Sequence, residues 1–236
     1  TITPLYPTES PILSDESFIK ETTLQGLSLR DVALSVLNKK NKKVVTHQMD
    51  MIFTHFGISG PAVLRCSMFV HQTMKRDKTE EVTMSLDALP NVSKGELTQQ
   101  IQRLIKNDGD KSAKNALKGL VPERYLLFAF AKAGLDENAP LKQAAPDKIT
   151  QFIEFIKDFQ FSANGTQPIE KAFVTGGGIH TKEVNPKTME SKFTQGLYFT
   201  GEILDYNGYT GGYNITGAFI TGRIAGMHAA ELALSK

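Results

Sequence analysis

The chain has 236 residues, of which 40% are hydrophobic and 22% charged, and its formal net charge is +2. That composition suits a globular protein with one large or two small cores, and so small a charge gives no reason to expect nucleic acid or an anionic membrane as partner. The apolar runs are too short to span a bilayer, and the single cysteine, Cys66, excludes an internal disulfide and fits a reducing cytoplasm.

Residues 1–23 carry Pro4, Pro7 and Pro11. Proline at this density forbids a helix and disfavours a central strand, so an extended segment is expected. A polar, proline-broken start is not the pattern of a secretory leader. A chain that opens on Thr1-Ile2-Thr3-Pro4 is expected to be the middle of a longer protein. Leu24 to Leu37 alternates loosely and reads as strand, as does Val44 to Phe53. The run Asn38-Lys39-Lys40-Asn41-Lys42-Lys43 between them reads as a hairpin turn, and such a charge run is usually a solvated loop. Ser59 is placed to cap a helix from Pro61 to about Met74, because proline is tolerated in a first turn. Glu81 to Leu86 is a further strand.

Residues 93–160 change character. Ser93 and Glu96 have capping-box spacing, and Leu97, Ile101, Leu104 and Ile105 recur at helical intervals. Helices are expected at Lys111–Leu120, Pro122–Ala133 and Asp147–Lys157. Phe128, Phe130, Phe152, Phe155 and Phe159 would form the core of a helical bundle. Gln160 to Thr175 returns to strand with a turn at Asn164-Gly165. A Gly-rich turn, Thr175 to Gly178, follows the apolar residues Ala172 to Val174. A second β section near Thr188–Lys192 precedes Gly196-Leu197-Tyr198-Phe199-Thr200, another strand-like run.

The densest motif is Gly201 to Asn214, leading into a small-sided helix from Ile215 to Leu234. Its four glycines and two acids do not build a core. Glu202 at a strand end could accept hydrogen bonds from vicinal hydroxyls of a ribose or ribityl chain, and Asp205 could do the same or cap a turn. Gly211, Gly212, Tyr213, Asn214 and Ile215 open the helix, whose first-turn amides favour an anionic or carbonyl-rich ligand. The helix contains Gly217, Gly222 and Gly226. Each costs roughly 1 kcal/mol relative to Ala in a helix interior, which calls for close approach of another backbone. His55, within Phe53-Thr-His-Phe-Gly-Ile-Ser-Gly-Pro61, could serve as an acid, base or orienting donor, or simply serve the turn. The five histidines and Cys66 show no metal-ligand spacing, so no metal site is expected.

The motifs Phe53–Pro61, Thr175–Gly178, Asn185–Ser191, Gly196–Glu202 and Gly208–Asn214, in that order, resemble those of the aminoacetone oxidase-like flavoproteins. The resemblance implies an α+β chain. A mostly-β, barrel-like insert domain would occupy 1–90, with strands from about 160–175 joining it. A helical insert domain would occupy 91–160, and 161–236 would be the returning C-terminal β/α segment of a Rossmann-like FAD domain. It implies FAD as cofactor and NAD(P)H as a possible electron donor. Gly201 and Glu202 would face the ribityl chain, Gly212, Tyr213 and Asn214 the isoalloxazine, and Thr175 and Gly176 would mark re-entry near the ring. The family's N-terminal dinucleotide fingerprint is not in this sequence. A fragment of an FAD-dependent oxidoreductase, weak in FAD binding and inactive alone, is therefore expected. The rivals are a non-catalytic interaction module and a flavoprotein that binds or modifies RNA. The second is disfavoured by the small net charge. Self-association through an exposed face of the last helix is a further expectation.

Overall fold

Residues 1–235 are described by a computed structural model, in which Thr1–Pro11 joins residues 166–235 in one unit while Ile12–Gly165 forms the other. The second will be called the central unit and the first the terminal unit. The chain is mixed α and β, and the strand pairings are antiparallel.

In the central unit the chain runs through β2 (Ile12–Leu13), α1 (Ser17–Lys20), β3 (Ser28–Leu37), β4 (Lys43–Phe53), β5 (Gly57–Ser59), α2 (Pro61–Asp77) and β6 (Val82–Asp87). It continues through α3 (Lys94–Asp108), α4 (Ala113–Ala116), α5 (Glu123–Ala133), α6 (Pro146–Lys157), β7 (Phe159–Ala163) and β8 (Gly165–Thr166). The sheet order is β7-β6-β3-β4-β5-β2-β8. The barrel-like expectation meets an open ladder: β7 and β8 stand at opposite edges, and no pairing joins them among the described residues. Those two edge strands are separated in the chain by Asn164 alone. The sheet must therefore curl back on itself, closed not by a strand ladder but by the chain and by single hydrogen bonds across the seam, from the Asn164 amide to the Leu13 carbonyl at 3.1 Å and from the Ser14 hydroxyl to the Ser162 carbonyl at 2.6 Å.

Local signals explain most of these elements. Asn38 shapes the β3–β4 turn: its Oδ1 accepts the amides of Lys40 at 2.9 Å and Lys42 at 3.0 Å. Ser93 Oγ accepts the Glu96 amide at 3.2 Å while Glu96 returns to the Ser93 amide at 2.8 Å. That reciprocal box starts α3. Two expectations need correction. Ser59 does not cap α2; it ends β5, and Gly60, at φ 102°, occupies the cap position with no side-chain bond. That positive φ turns the strand directly into the helix, and Pro61 has no first-turn N–H to satisfy. The helix expected at Lys111–Leu120 shrinks to α4, whose two leading amides bind the chain that follows α5: Ala113 N–H binds the Ala139 carbonyl and Lys114 N–H that of Glu137.

The phenylalanines expected in a bundle core do pack together, but they share one core with strand residues. Phe159 of β7 lies 4.4 Å from Phe155 of α6, and Phe18 of α1 touches Phe53, Phe128, Phe159 and Phe161. One continuous buried cluster runs from Ile12 to Ala163.

The terminal unit is thinner. Its sheet has two strands, β1 (Ile2–Thr8) and β9 (Val174–Ile179), and its long helix is α7 (Tyr213–Leu234). β1 is extended despite Pro4 and Pro7, with a register break between Thr3 and Tyr6; a two-stranded edge tolerates the missing donors. The Gly-rich stretch expected as a turn is instead β9 itself. Gly176, Gly177 and Gly178 are buried there, and a Cβ on each would meet the Tyr6 ring, the Pro4 carbonyl and the Ile203 carbonyl within 2.4 Å. The glycines let β1 and the 201–204 segment approach the strand. The expected strand at Gly196–Thr200 is absent as a ladder; Tyr198 makes one isolated bridge to Glu190, and Val184 bridges Ser191. The buried cluster of this unit is small, Val184, Met189, Leu204 and Ala225. The exposed large apolar side chains among the described residues all belong to this unit, and six of them lie on α7: Tyr213, Ile215, Phe219, Ile220, Met227 and Leu234.

Candidate functional site

The ten residues expected to hold a ligand all fall in the terminal unit. Gly201 and Glu202 do not end a strand; they open a single 3₁₀ turn, Gly201–Ile203. Gly201 is buried with φ 69°, and a Cβ there would stand 3.4 Å from Ala218 of α7. Its amide donates to Thr221 Oγ at 3.0 Å, and that hydroxyl in turn donates to the Gly217 carbonyl at 2.7 Å. The turn is thus fastened to one side of the helix. Glu202 projects from it, exposed, and its Oε1 accepts the Thr175 amide of β9 at 2.6 Å. One carboxylate oxygen is thereby oriented, and the other has no hydrogen bond of its own among the described residues.

The helix start is built separately. Gly211 and Gly212 have φ values of 123° and 88°, and Gly212 occupies the cap position of α7 in left-handed conformation with no side-chain cap. A helix that starts this way presents first-turn amides, Tyr213, Asn214 and Ile215, without intrahelical acceptors. Asn214 spends its own side chain on the preceding loop: its Oδ1 accepts the Gly208 amide at 2.7 Å and its Nδ2 donates to the Gly208 carbonyl at 2.9 Å.

Between these two pieces lies a cleft of about 310 Å³, lined by Glu202, Gly211, Gly212, Asn214 and Ile215 together with Phe173, Val174, Tyr209, Thr210 and Ala218. A second, mainly apolar cleft of about 510 Å³ lies on the other side of Glu202 and Thr175, walled by Ile2, Leu5, Ile179 and Ile203. Glu202 lines both. The structure therefore brings together Glu202, Gly211, Gly212, Asn214 and Ile215 around one cleft, with Thr175 bonded to Glu202 from the neighbouring one. Tyr213 is exposed at the same helix start. Asp205 is used otherwise: its Oδ2 accepts the Thr3 hydroxyl at 2.7 Å and its amide donates to the Ile179 carbonyl at 2.8 Å, so it ties β1 to β9. Gly176 is buried under Tyr6. His55 belongs to the central unit, exposed on the β4–β5 turn, with its ring 4.9 Å from that of Phe56. Phe173, Tyr209 and Thr221 were not singled out by sequence. Thr221 stands four residues after Gly217 in a small-sided helix, a spacing that matches its back-bond.

No helix among the described residues is long and apolar enough to cross a membrane. No group of three or more His, Cys, Asp or Glu side chains gathers there as a metal set.

A family model described as the HI0933-like protein barrel and H2TH domain matches residues 6–174. Over 198 residues the chain is 32% identical to the ribosomal RNA dihydrouridine synthase of Haemophilus influenzae, covering 84% of this chain and 45% of that protein. It is 32% identical over 185 residues to the enzyme of the same name from Escherichia coli, covering 78% and 43%. It is also 30% identical over 182 residues to a 3-dehydro-bile acid delta(4,6)-reductase of Clostridium scindens, covering 77% and 44%. The chain spans a little under half the length of these curated relatives. It belongs to the HI0933-like family.

Proposed function

We propose that the terminal unit supplies the ring-facing part of an FAD site in a flavin-dependent reductase. The observation that carries the reading is the cleft in which the Glu202 carboxylate shares a wall with the uncapped start of α7 at Gly212. The motif resemblance to aminoacetone oxidase-like flavoproteins supports it. So do the relatives' names, a delta(4,6)-reductase and two dihydrouridine synthases.

The donor set fits such a cofactor. A Cβ on Gly212 would meet nothing within 4 Å, so the backbone there is open to a flat group. First-turn amides donate to a carbonyl-rich or negatively polarised edge. The oriented Glu202 carboxylate accepts from sugar-alcohol hydroxyls. Phe173 and Tyr209 form cleft walls able to exclude water. FAD, when bound, supplies the redox chemistry; the protein positions it and tunes its electronics. No residue of the cleft argues for NAD(P)H as the electron donor. His55, the acid–base candidate of the sequence, stands in the central unit and is not a residue of this cleft.

The test is retention of flavin by the full-length protein. Gly212→Val and Glu202→Gln should each lower flavin content at fixed free FAD, whereas His55→Ala, outside the cleft, should keep the flavin. Wild-type flavin content in both cleft variants would defeat the reading. The present chain alone should bind FAD weakly, and tight stoichiometric flavin would count against a split site. The exposed apolar residues of α7 should make this chain self-associate, so sedimentation as a strict monomer at high concentration would speak against that role for the helix.

A further inference from the structure

A single corner of the central unit concentrates positive charge. The β3–β4 turn brings Lys39, Lys40, Lys42 and Lys43, and the end of α2 brings Lys75, Arg76 and Lys78; all seven are exposed. Turn and helix end are joined, because the Lys39 amide donates to Asp77 Oδ2 at 3.0 Å. Asn38 braces the turn through the amides of Lys40 and Lys42, and Asn41 takes a left-handed φ of 55° to close it. The lysines thus stand on a fixed base rather than on a loose loop.

The lysine charges are not neutralised. Lys20, Lys94, Lys111, Lys114, Lys142 and Lys157 of the same unit each pair with a carboxylate; none of the six corner lysines does among the described residues, and what sets them apart from the scattered unpaired Lys106, Lys118, Lys132 and Lys148 is that they stand together. Two acids, Asp77 and Glu81, stand in the corner itself and line one hollow with Lys39. Asp77 pairs with Arg76 at 2.9 Å, and Glu81 accepts the Ser162 hydroxyl at 2.5 Å. The Arg76 guanidinium, with the Lys39 amide, holds the Asp77 carboxyl below the usual range. The exposed Glu80 leaves the balance strongly positive. Cations near the C-terminus of α2 also complement its dipole, but that does not account for four lysines on a hairpin. The net charge of +2 averages this corner away.

We propose that the corner formed by the β3–β4 turn and the end of α2 is a docking surface for the phosphate backbone of RNA. A preorganised excess of cations over carboxylates is what a polyphosphate binds, releasing condensed cations as it does so. Lysines of this kind hold and register the nucleic acid without reading its bases. The choice of RNA over other polyanions rests on the reading of this chain as a relative of enzymes named for ribosomal RNA; the cationic corner itself does not.

The experiment is fluorescence anisotropy of a labelled RNA stem-loop with this chain, without added flavin, across a salt series. A variant carrying Lys40→Gln, Lys42→Gln, Lys43→Gln, Lys75→Gln and Lys78→Gln should bind at least about tenfold more weakly at low salt. Its slope of log affinity against log salt should fall by roughly 0.7–0.9 for each phosphate that the variant leaves without a lysine. A control with Arg103→Gln and Lys106→Gln, exposed cations of α3, should match wild type. Resistance of the buried Cys66 thiol to alkylation verifies that each variant is folded. No binding by the wild type, an unchanged slope, or an equal weakening in the control would overturn the proposal. So would binding to phosphatidylserine vesicles that is as tight as RNA binding and equally lysine-dependent. Because flavin takes no part in the readout, failure here leaves the FAD reading standing, and failure of flavin retention leaves this one standing.

Discussion

Asn214 and Gly208 hold each other twice, through the Gly208 amide to Oδ1 at 2.7 Å and from Nδ2 to the Gly208 carbonyl at 2.9 Å. This pair closes residues 208–214 into a ring, and Tyr209, Thr210, Gly211 and Gly212 of that ring line the cleft. Asn214, in the first turn of α7, thus spends its side chain on the cleft-lining loop, and Gly212 at the cap position offers none, so the first-turn amides are left without a side-chain cap.

Asn214→Ala should therefore loosen the loop rather than the helix. Two neutral hydrogen bonds are worth about 1–2 kcal/mol together. Asn214→Asp should cost more than half of that, because a carboxylate would face the Gly208 carbonyl where a donor stood. Hydrogen exchange of the 208–212 amides is the measurement: faster exchange in both variants, with the helical amides beyond Ala218 unchanged.

The glycines of the terminal unit should divide into two classes on replacement by alanine. At Gly178 a Cβ would stand 2.3 Å from the Ile203 carbonyl oxygen, and φ is 116°. Both the clash and the backbone strain are unavoidable, so Gly178→Ala should cost about 2–3 kcal/mol. Gly222 and Gly226 are mid-helix with nothing within 4 Å. Gly222→Ala and Gly226→Ala should each stabilise α7 by up to about 1 kcal/mol. Thermal unfolding separates the classes. Should the alanines stabilise the helix and yet weaken flavin retention in the full-length protein, another backbone packs against that face.

How much of this was legible in the sequence depends on distance along the chain. The β3–β4 hairpin and the Ser93–Glu96 box were readable because every group involved lies within a few residues. The central-unit Phe residues were readable as core by periodicity, but not that Phe18 of a four-residue helix joins them. Gly176–Gly178 read as a turn because glycine does so locally. Its strand character comes from pairing with β1, more than 160 residues away, including Ile2 with Ile179. Gly196–Thr200 has strand composition but no partner ladder. Around the cleft, Glu202, Gly211, Gly212, Asn214 and Ile215 stood out because small residues and acids clustered at a helix start have few structural uses, and they do line one cleft. Asp205 looked like a third ligand group from the same clustering. Its partner, the Thr3 hydroxyl, is 202 residues earlier, and no local pattern announces it.

The start of α3 should respond to pH with a defined sign. Bonds from the Ser93 hydroxyl and amide hold the Glu96 carboxyl below its ordinary value. A carboxyl depressed on folding adds stability above its unfolded pKa, and that contribution is lost as pH falls through the lowered folded value. Ser93→Ala, which costs about 1 kcal/mol at neutral pH, removes the hydroxyl's part of this linkage. The gap between wild type and variant should therefore narrow on acidification below the ordinary glutamate range. Urea unfolding across pH checks it, and a gap that widens in acid would contradict the assignment.

Tyr125 should gain from losing its hydroxyl. The side chain is fully buried, its ring stacks at 6.5 Å on Phe53, and the hydroxyl has no hydrogen-bond partner among the described residues. Burial, with the nearby negative charge of Asp87, pushes the phenol far up, so it stays protonated at every working pH. An unsatisfied buried donor carries a desolvation penalty of about 1–3 kcal/mol. Tyr125→Phe removes that penalty and leaves only a hydroxyl-sized gap, which forfeits part of the gain. The net expectation is a more stable central unit, by up to about 1 kcal/mol, read from the urea midpoint at unchanged slope. A less stable variant would mean that the hydroxyl is satisfied by a buried water. The ring would then be holding a polar anchor inside the core rather than merely filling it.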